Sequence, residues 1–354
     1  MKTIDIFQLA IEKKASDIFI IAGRPLSFKI MGDIVSYDDI QLSADDTYGI
    51  IYDIFKVANQ ESLDELSTEG DVDFSFSLPK LGRFRVSAYK QRNSFAAVIR
   101  VVLFELPDPV KLGIPDVVMN LHSKTKGLIL ITGPAGSGKS TTLACLIDKI
   151  NTERNCHIMT FEDPIEYIHK HKRSIVSQRE ISTDSKSYIS SLRSSLRQAP
   201  DVMLIGEMRD LETIEIALTA AETGHLVLST LHTTGAANTI DRIIDVFPSN
   251  QQQQVRIQLS MQLQAVISQH LIPSPVRGRA AAFEVMLATN AVSNLIRESK
   301  VHQLNSVIYS SEGKGMKSMD TSIYELYKNG IISKENAVLH SIDPDLMLKL
   351  LNKQ

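Results

Sequence analysis

Cysteine is scarce in this 354-residue chain: Cys145 and Cys156 are its only two. Two thiols cannot build a disulfide framework or a four-cysteine zinc module, and a reducing compartment is the simplest setting for them. An excess of one charge is also missing, since 38 Lys and Arg against 41 Asp and Glu leave a formal net charge of −3. That removes the strong positive field on which non-specific nucleic-acid binding rests, though not a local basic patch. No apolar h-region follows Met1-Lys2-Thr3-Ile4-Asp5, so no signal peptide is expected. The longest uncharged run, Ile257 to Val276, could cross a bilayer by length, but four Gln, three Ser, one His and two Pro interrupt it. A span that polar is costly, so the run reads as a soluble amphipathic helix with no transmembrane segment.

What is present is ordinary for a globular chain: 43% hydrophobic and 22% charged residues, in a length that suggests about two domains. The first ~100 residues read as short strands with few helices. Ile18 to Ile21 is a β-type run closed by Gly23-Arg24-Pro25, Leu26, Phe28 and Ile30 alternate, and Gly32-Asp33 turns the chain. Ser43 with Asp46 reads as a helix N-cap. Val72, Phe74, Phe76 and Leu78 alternate, as do Phe84, Val86 and Ala88, with a hairpin turn from Pro79 to Gly82 and a third run from Ala96 to Val102. Residues 1–102 are therefore expected to be an α+β domain with a largely antiparallel sheet. The breaker-rich stretch 103–116 is expected to be a linker. In 117–354, buried strands at Leu128–Thr132, Cys156–Phe161, Val202–Ile205 and Leu226–Thr230 separate helical patterns, which favours a parallel sheet, and the last ~80 residues read as mostly helical.

Gly133-Pro134-Ala135-Gly136-Ser137-Gly138-Lys139-Ser140, followed by Thr141, fits the phosphate-binding loop pattern G-x-x-x-x-G-K-[ST]. The glycines let backbone N–H groups wrap phosphates, Lys139 reaches the β- and γ-phosphates of ATP, and the Ser140 hydroxyl ligates Mg²⁺. An apolar strand precedes the loop and a helix bearing Leu143, Leu146, Ile147 and Ile150 follows, which is the context the pattern requires. Acidic residues must then hold the metal and the attacking water. Val202 to Glu207 is an apolar strand ending in a carboxylate, with Gly206 where an Asp is usual; Glu207 is the second candidate metal ligand. Glu162-Asp163-Pro164-Ile165-Glu166 follows the strand after the phosphate-loop helix, where carboxylates face a nucleotide crevice, although such a cluster alone suits a solvated turn equally well. His225 and His232 flank the strand Leu226 to Thr230, and one of them is a candidate sensor of the γ-phosphate.

These blocks, in this order, closely resemble the secretion ATPases of type II and type IV pilus systems, and most of all the type IV pilus retraction ATPases, the PilT family. In the first domain the resemblance rests on Ala15-Ser16-Asp17, Asp71 to Phe76 and Gly82 to Val86; in the second, on the phosphate loop, Glu162 to Glu166, Gly206 to Thr213 and Thr223 to Thr233. It implies a PAS-like N-terminal domain followed by a RecA-like ATPase domain with a helical C-terminus, assembled as a homohexamer that binds ATP between subunits. It also implies Glu166 as the base for water, with Glu162 and Asp163 beside it, Glu207 supporting Mg²⁺, and Arg83, Arg85 and Arg100 reaching the nucleotide. Arg83 and Arg85 share one strand face, which read alone is a solvated sheet face. The implied activity is ATP hydrolysis driving pilus retraction and twitching motility. The implied setting is cytoplasmic, at the inner-membrane face, against a pilus platform protein, with a second pilus ATPase as a further candidate partner.

Assembly and type II secretion ATPases usually add a longer N-terminal region and a four-cysteine zinc module, which this sequence lacks. Ala291 to Glu298 resembles the retraction motif AIRNLIRE, with Val292 for Ile and Ser293 for Arg. Glu284, Asn294 and Arg297, read alone, suit an ordinary helix surface. The alternatives are a low-activity accessory ring subunit, a pilus assembly or type II secretion ATPase, and a nucleic-acid translocase. The last has only Lys170-His171-Lys172-Arg173 in its favour, and no direct nucleic-acid contact is expected.

Overall fold

The computed structural model describes residues 3–352 apart from 31, 61, 62, 80, 103–105 and 182. The chain divides into two compact units, Met1–Glu105 and Leu106–Gln354.

The first unit is built on strands β1 (Asp17–Ile20), β2 (Pro25–Ile30), β3 (Asp33–Gln41), β4 (Asp71–Leu78), β5 (Gly82–Gln91) and β6 (Ser94–Val102). They lie in the order β3-β2-β1-β6-β5-β4, and every pairing is antiparallel. Phe84, Val86 and Ile99 are fully buried on one sheet face, in one core with Phe7, Ile51 and Ile54 of the helices. The helix Ala44–Val57 starts at Ser43, whose hydroxyl accepts from Asp46 N while the Asp46 carboxylate accepts from Ser43 N, a reciprocal cap. Helices are more numerous than expected. Thr3–Glu12 and Asp64–Glu69 were not anticipated, and the first buries Ile6, Phe7 and Ala10 at helical spacing. β3 was also unforeseen: it is exposed along its whole length, so burial imposed no alternation on it. The hairpin between β4 and β5 lies where its turn was expected, although residue 80 is outside the described residues.

Residues 103–105 of the expected linker lie outside the described residues, and the remainder, in the second unit, alternates irregular chain with short helices. Asp108 caps a short helix, Pro109–Leu112, and Asp116–Met119 forms another. Pro109 stands in the first turn, where its missing N–H costs nothing. The strands are β7 (Gly127–Thr132), β8 (His157–Glu162), β9 (Ile175–Glu180), β10 (Val202–Ile205), β11 (Leu226–Leu231), β12 (Leu263–Ser274) and β13 (Gly278–Leu287). Their order is β13-β12-β7-β11-β10-β8-β9, parallel throughout except for the β12–β13 hairpin. β7, β10 and β11 are buried at every position, as central strands covered on both faces must be.

The run Ile257 to Val276 is not one helix. A helix ends at Gln262, and Leu263–Ser274 is β12, which pairs with the phosphate-loop strand. Val266 and Ile267 are buried, and so are the polar Ser268 and Gln269, which have partners deep in the unit. A strand buried on both faces shows no two-residue alternation, so length and composition misled. Glu284 is likewise not on a helix surface: it lies on β13, 4% exposed, and accepts from Ala236 N at 2.7 Å. Beyond β13 the chain is helical.

Candidate active site

Parallel strands deliver their C-terminal ends to one edge of the sheet, and the loops leaving β7, β8, β10 and β11 meet there around a cavity of about 230 Å³. The phosphate loop leaves β7 at Gly133, whose φ of +139° is open to glycine; a Cβ there would stand 2.2 Å from the Gln269 carbonyl oxygen. Gly138, at φ +88°, begins the helix Lys139–Glu153. Lys139 is buried, and its Nζ donates to Gly133 O at 2.9 Å and Pro134 O at 3.0 Å. Desolvation pulls its pKa below the usual lysine value, while Glu166 and Glu207 act the other way. In the first turn of that helix, Ser140 Oγ donates to Glu166 Oε1 at 3.0 Å, and Thr141 Oγ1 lies 2.9 Å from the Tyr167 hydroxyl. Ala135 and Gly136 line the cavity. Ser137 is buried, and its Oγ lies 2.8 Å from where a Gly133 Cβ would be.

Glu207 follows β10, with Arg209 Nη2 2.6 Å from Oε1 and His232 Nε2 3.4 Å from Oε2. Gly206 beside it has a packing reason to lack a side chain: a Cβ would meet Tyr188 Oη at 2.9 Å and the Phe161 carbonyl at 3.2 Å. Desolvation, together with Asp163, Glu207 and Glu162, raises the Tyr188 pKa. Glu162 closes β8 and accepts from Thr160 Oγ1 at 2.7 Å and Gln178 Nε2 at 3.3 Å. Desolvation of its carboxyl, opposed by these bonds, pushes its pKa up to about 7. Asp163 also lines the cavity. His169 closes one side of it, buried, with a pKa pushed down to about 4 by desolvation.

Lys139, Ser140, Glu162, Asp163, Glu166, Glu207 and His232 thus share one cavity. His225 does not join them. It precedes β11 whereas His232 follows it, and six residues at about 3.3 Å each separate the two ends. His225 Nδ1 instead donates to Ala220 O at 2.9 Å, an ordinary structural contact. Arg83, Arg85 and Arg100 belong to the first unit. Arg83 and Arg85 lie on the face of β5 opposite the buried Phe84 and Val86. Arg85 faces Arg100 across the β5–β6 pairing, and Arg100 Nε donates to Asp17 Oδ1 at 3.1 Å. The basic run Lys170 to Arg173 is engaged locally, with Lys172 Nζ 2.7 Å from Asp148 Oδ1.

Several residues of the site escaped the sequence reading. Tyr167, Tyr188 and Arg209 had no spacing to mark them, although Arg209 lies within a quoted block. Gln269, whose side chain accepts from Thr142 Oγ1 at 2.7 Å, sits on the strand misread as helix. Gln178 and Glu180 on β9 hold the loop of Glu166.

Fold and site together define a RecA-like nucleotide-binding core with a phosphate loop, joined in one chain to an antiparallel α+β domain. The chain belongs to the type II/IV secretion system protein family, which it matches over residues 2–338. Among curated proteins it is 44% identical over 337 residues to the "type IV pilus retractation ATPase PilT" of Pseudomonas aeruginosa, covering 95% of this chain and 97% of that one. It is 39% identical to the "type IV pilus ATPase PilU" of the same organism, covering 98% and 91%. Among solved structures, the crystal structure of the pilus retraction motor PilT with bound ADP superposes with a TM-score of 0.91 at 47% identity, over 100% of both chains. Among the described residues no helix is long and apolar enough to cross a membrane.

Proposed function

We propose that this chain is the motor subunit of type IV pilus retraction, hydrolysing ATP within a homohexamer that works on a platform protein at the cytoplasmic face of the inner membrane. The observation that carries the reading is the convergence of Lys139, Ser140, Glu166, Glu207 and His232 on one cavity, in a chain similar along its whole length to PilT. Backbone N–H groups of residues 133–141 cradle the phosphates, and the buried Lys139 ammonium meets the β- and γ-phosphate oxygens. Glu166 takes the proton of the attacking water; its carboxylate already accepts a hydrogen bond from Ser140, at the start of the phosphate-loop helix. His232, beside Glu207, is placed to report the γ-phosphate.

Magnesium fits this donor set, which offers a hydroxyl and carboxylates and no sulfur. Ser140 and Glu207 are the residues that would hold it, and the ion would neutralise charge on the β- and γ-phosphates. Arg85 and Arg100, on an open sheet face of the first unit, supply positive charge to a nucleotide on a neighbouring subunit.

Lys139→Ala tests the reading. The purified hexamer should form normally, its ATPase rate should fall to background, and cells carrying it should not retract pili. Turnover near the parent's in a folded Lys139→Ala ring would sink the proposal. A parent ring that hydrolyses little ATP unaided would favour an accessory subunit instead.

A further inference from the structure

The side chain of Glu166 is exposed, and its direction is set by the backbone that carries it. That backbone is tied down by side chains at the ends of β8 and β9. Glu162 and Glu180 stand opposite each other in the β8–β9 register. Glu180 is 4% exposed, and its Oε2 accepts from Ile165 N at 2.9 Å while Oε1 accepts from Thr183 Oγ1 at 3.3 Å. The Glu162 carboxyl is steadied in its charged form by the main chain of Glu166 itself, against the desolvation that raises its pKa. Gln178, also on β9, uses both ends of its side chain: Oε1 accepts from His169 N at 2.7 Å, and Nε2 donates to Tyr167 O at 2.9 Å and to Glu162 Oε1 at 3.3 Å.

We propose that Gln178 and Glu180, acting with Glu162, are positioning residues for the hydrolysis: they fix the backbone of 165–169 so that the Glu166 carboxylate stays against Ser140. The inference rests on the reading of Glu166 as the base. Burying a carboxylate, as at Glu180, is costly unless donors compensate. Here the compensating donor to Glu180 is the Ile165 amide, next to the residue that bears the base. Closing that loop for its own sake needs no buried charge. Holding one carboxylate to a fraction of an ångström does need strong bonds to the main chain, since a misplacement of about 1 Å can cost about a hundredfold in rate. Tyr167 completes the brace by reaching Thr141 on the phosphate-loop helix.

The test compares kcat and KM for ATP in purified hexamers. Glu180→Ala should lower kcat roughly ten- to a hundredfold, with KM changed less than about threefold. Glu180→Gln keeps an oxygen for the Ile165 amide and should recover most of that loss. Gln178→Ala, which leaves the carboxylates in place, should lower kcat about tenfold with the same split. It carries the test if Glu180→Ala does not fold. In a Glu166→Gln ring, adding Glu180→Ala should cost nothing further, because the group being aimed is already gone. Parent-like kcat in folded Glu180→Ala and Gln178→Ala rings, or equal losses in Glu180→Ala and Glu180→Gln, would overturn the inference while leaving Glu166 as the base. Parent-like turnover in Glu166→Gln would overturn the underlying reading itself.

Discussion

Two desolvated groups beside the phosphate cavity should pull stability in opposite directions as pH changes in the nucleotide-free protein. Glu162 is pushed from 4.5 up to about 7, and His169 from 6.5 down to about 4, each mainly by burial. Folded Glu162 keeps a proton that the unfolded chain has lost. Its stabilising contribution is complete below pH 4.5 and is lost as pH rises through about 7. Folded His169 stays neutral where the unfolded chain is charged. Its contribution is complete above pH 6.5 and is lost as pH falls through about 4. Between pH 4.5 and 6.5 the two slopes oppose each other, since folding takes up a proton at Glu162 and releases one at His169. Removing either group unmasks the other. One proton is about 1.4 kcal/mol per pH unit, so the window is worth about 2–3 kcal/mol, or roughly 5–10 °C in Tm for a unit of this size. The assay is calorimetry in half-unit pH steps at constant ionic strength, without nucleotide or magnesium, reading each variant's midpoint minus the parent's so that common groups drop out. The His169→Gln difference should fall as pH rises across the window, and the Glu162→Gln difference should rise. Flat differences, or slopes of the reverse sign, would refute the reasoning.

Two other outcomes follow from the site and its surroundings. If Arg85 or Arg100 serves a neighbouring subunit, Arg100→Ala and Lys139→Ala rings should each be nearly inactive, yet mixed rings, once subunit exchange is shown by mass, should regain activity; an arginine worth roughly 10³–10⁵ in rate makes the recovery easy to read, and none in exchanged rings counts against trans action. In the helix Asn290–Arg297, Val292 and Ile296 face the core while Asn294 and Arg297 are exposed, so Ala at both exposed positions should spare most ATPase activity and abolish retraction in cells, whereas loss of both would assign them a structural role.

The phosphate loop was legible because its glycines answer to backbone geometry and its flanks to hydrophobic pattern, both of which are local. The histidines were not separable by residue type, but strand direction separates them: in a parallel sheet only the residue after the strand reaches the crevice, so His232 is in the cavity and His225 is not. β12 was illegible for a physical reason. Apolar on both faces, it carries no alternation, and its buried Ser268 and Gln269 look like helix-surface residues until their partners Gly235 and Thr142 are seen across the sheet. Glu284 misled in the same way, since a carboxylate on β13 is intelligible only beside the amide of Ala236. Gln178 and Glu180 serve the loop of Glu166 from a different strand, and no spacing rule joins them to it.

The close approach of Gln269 to the phosphate loop divides the cavity into two kinds of wall. The space a Gly133 Cβ would need is taken by a main-chain oxygen of β12, and the corresponding space at Gly138 by the Gln269 amide, 2.9 Å away. A main-chain oxygen cannot swing aside as a side chain can. The loop that grips phosphate and the strand beside it must therefore shift together, as one rigid plate extended through β13. If the site works as proposed, a movement that answers to the γ-phosphate arises on the opposite wall, where Glu166 is held by Ser140 and Glu207 is paired with Arg209 and His232 through contacts that can lengthen and reform. Drift in sequence should follow the same division: substitutions accumulate among the residues that hang from loops, while the two glycines facing Gln269 stay as they are.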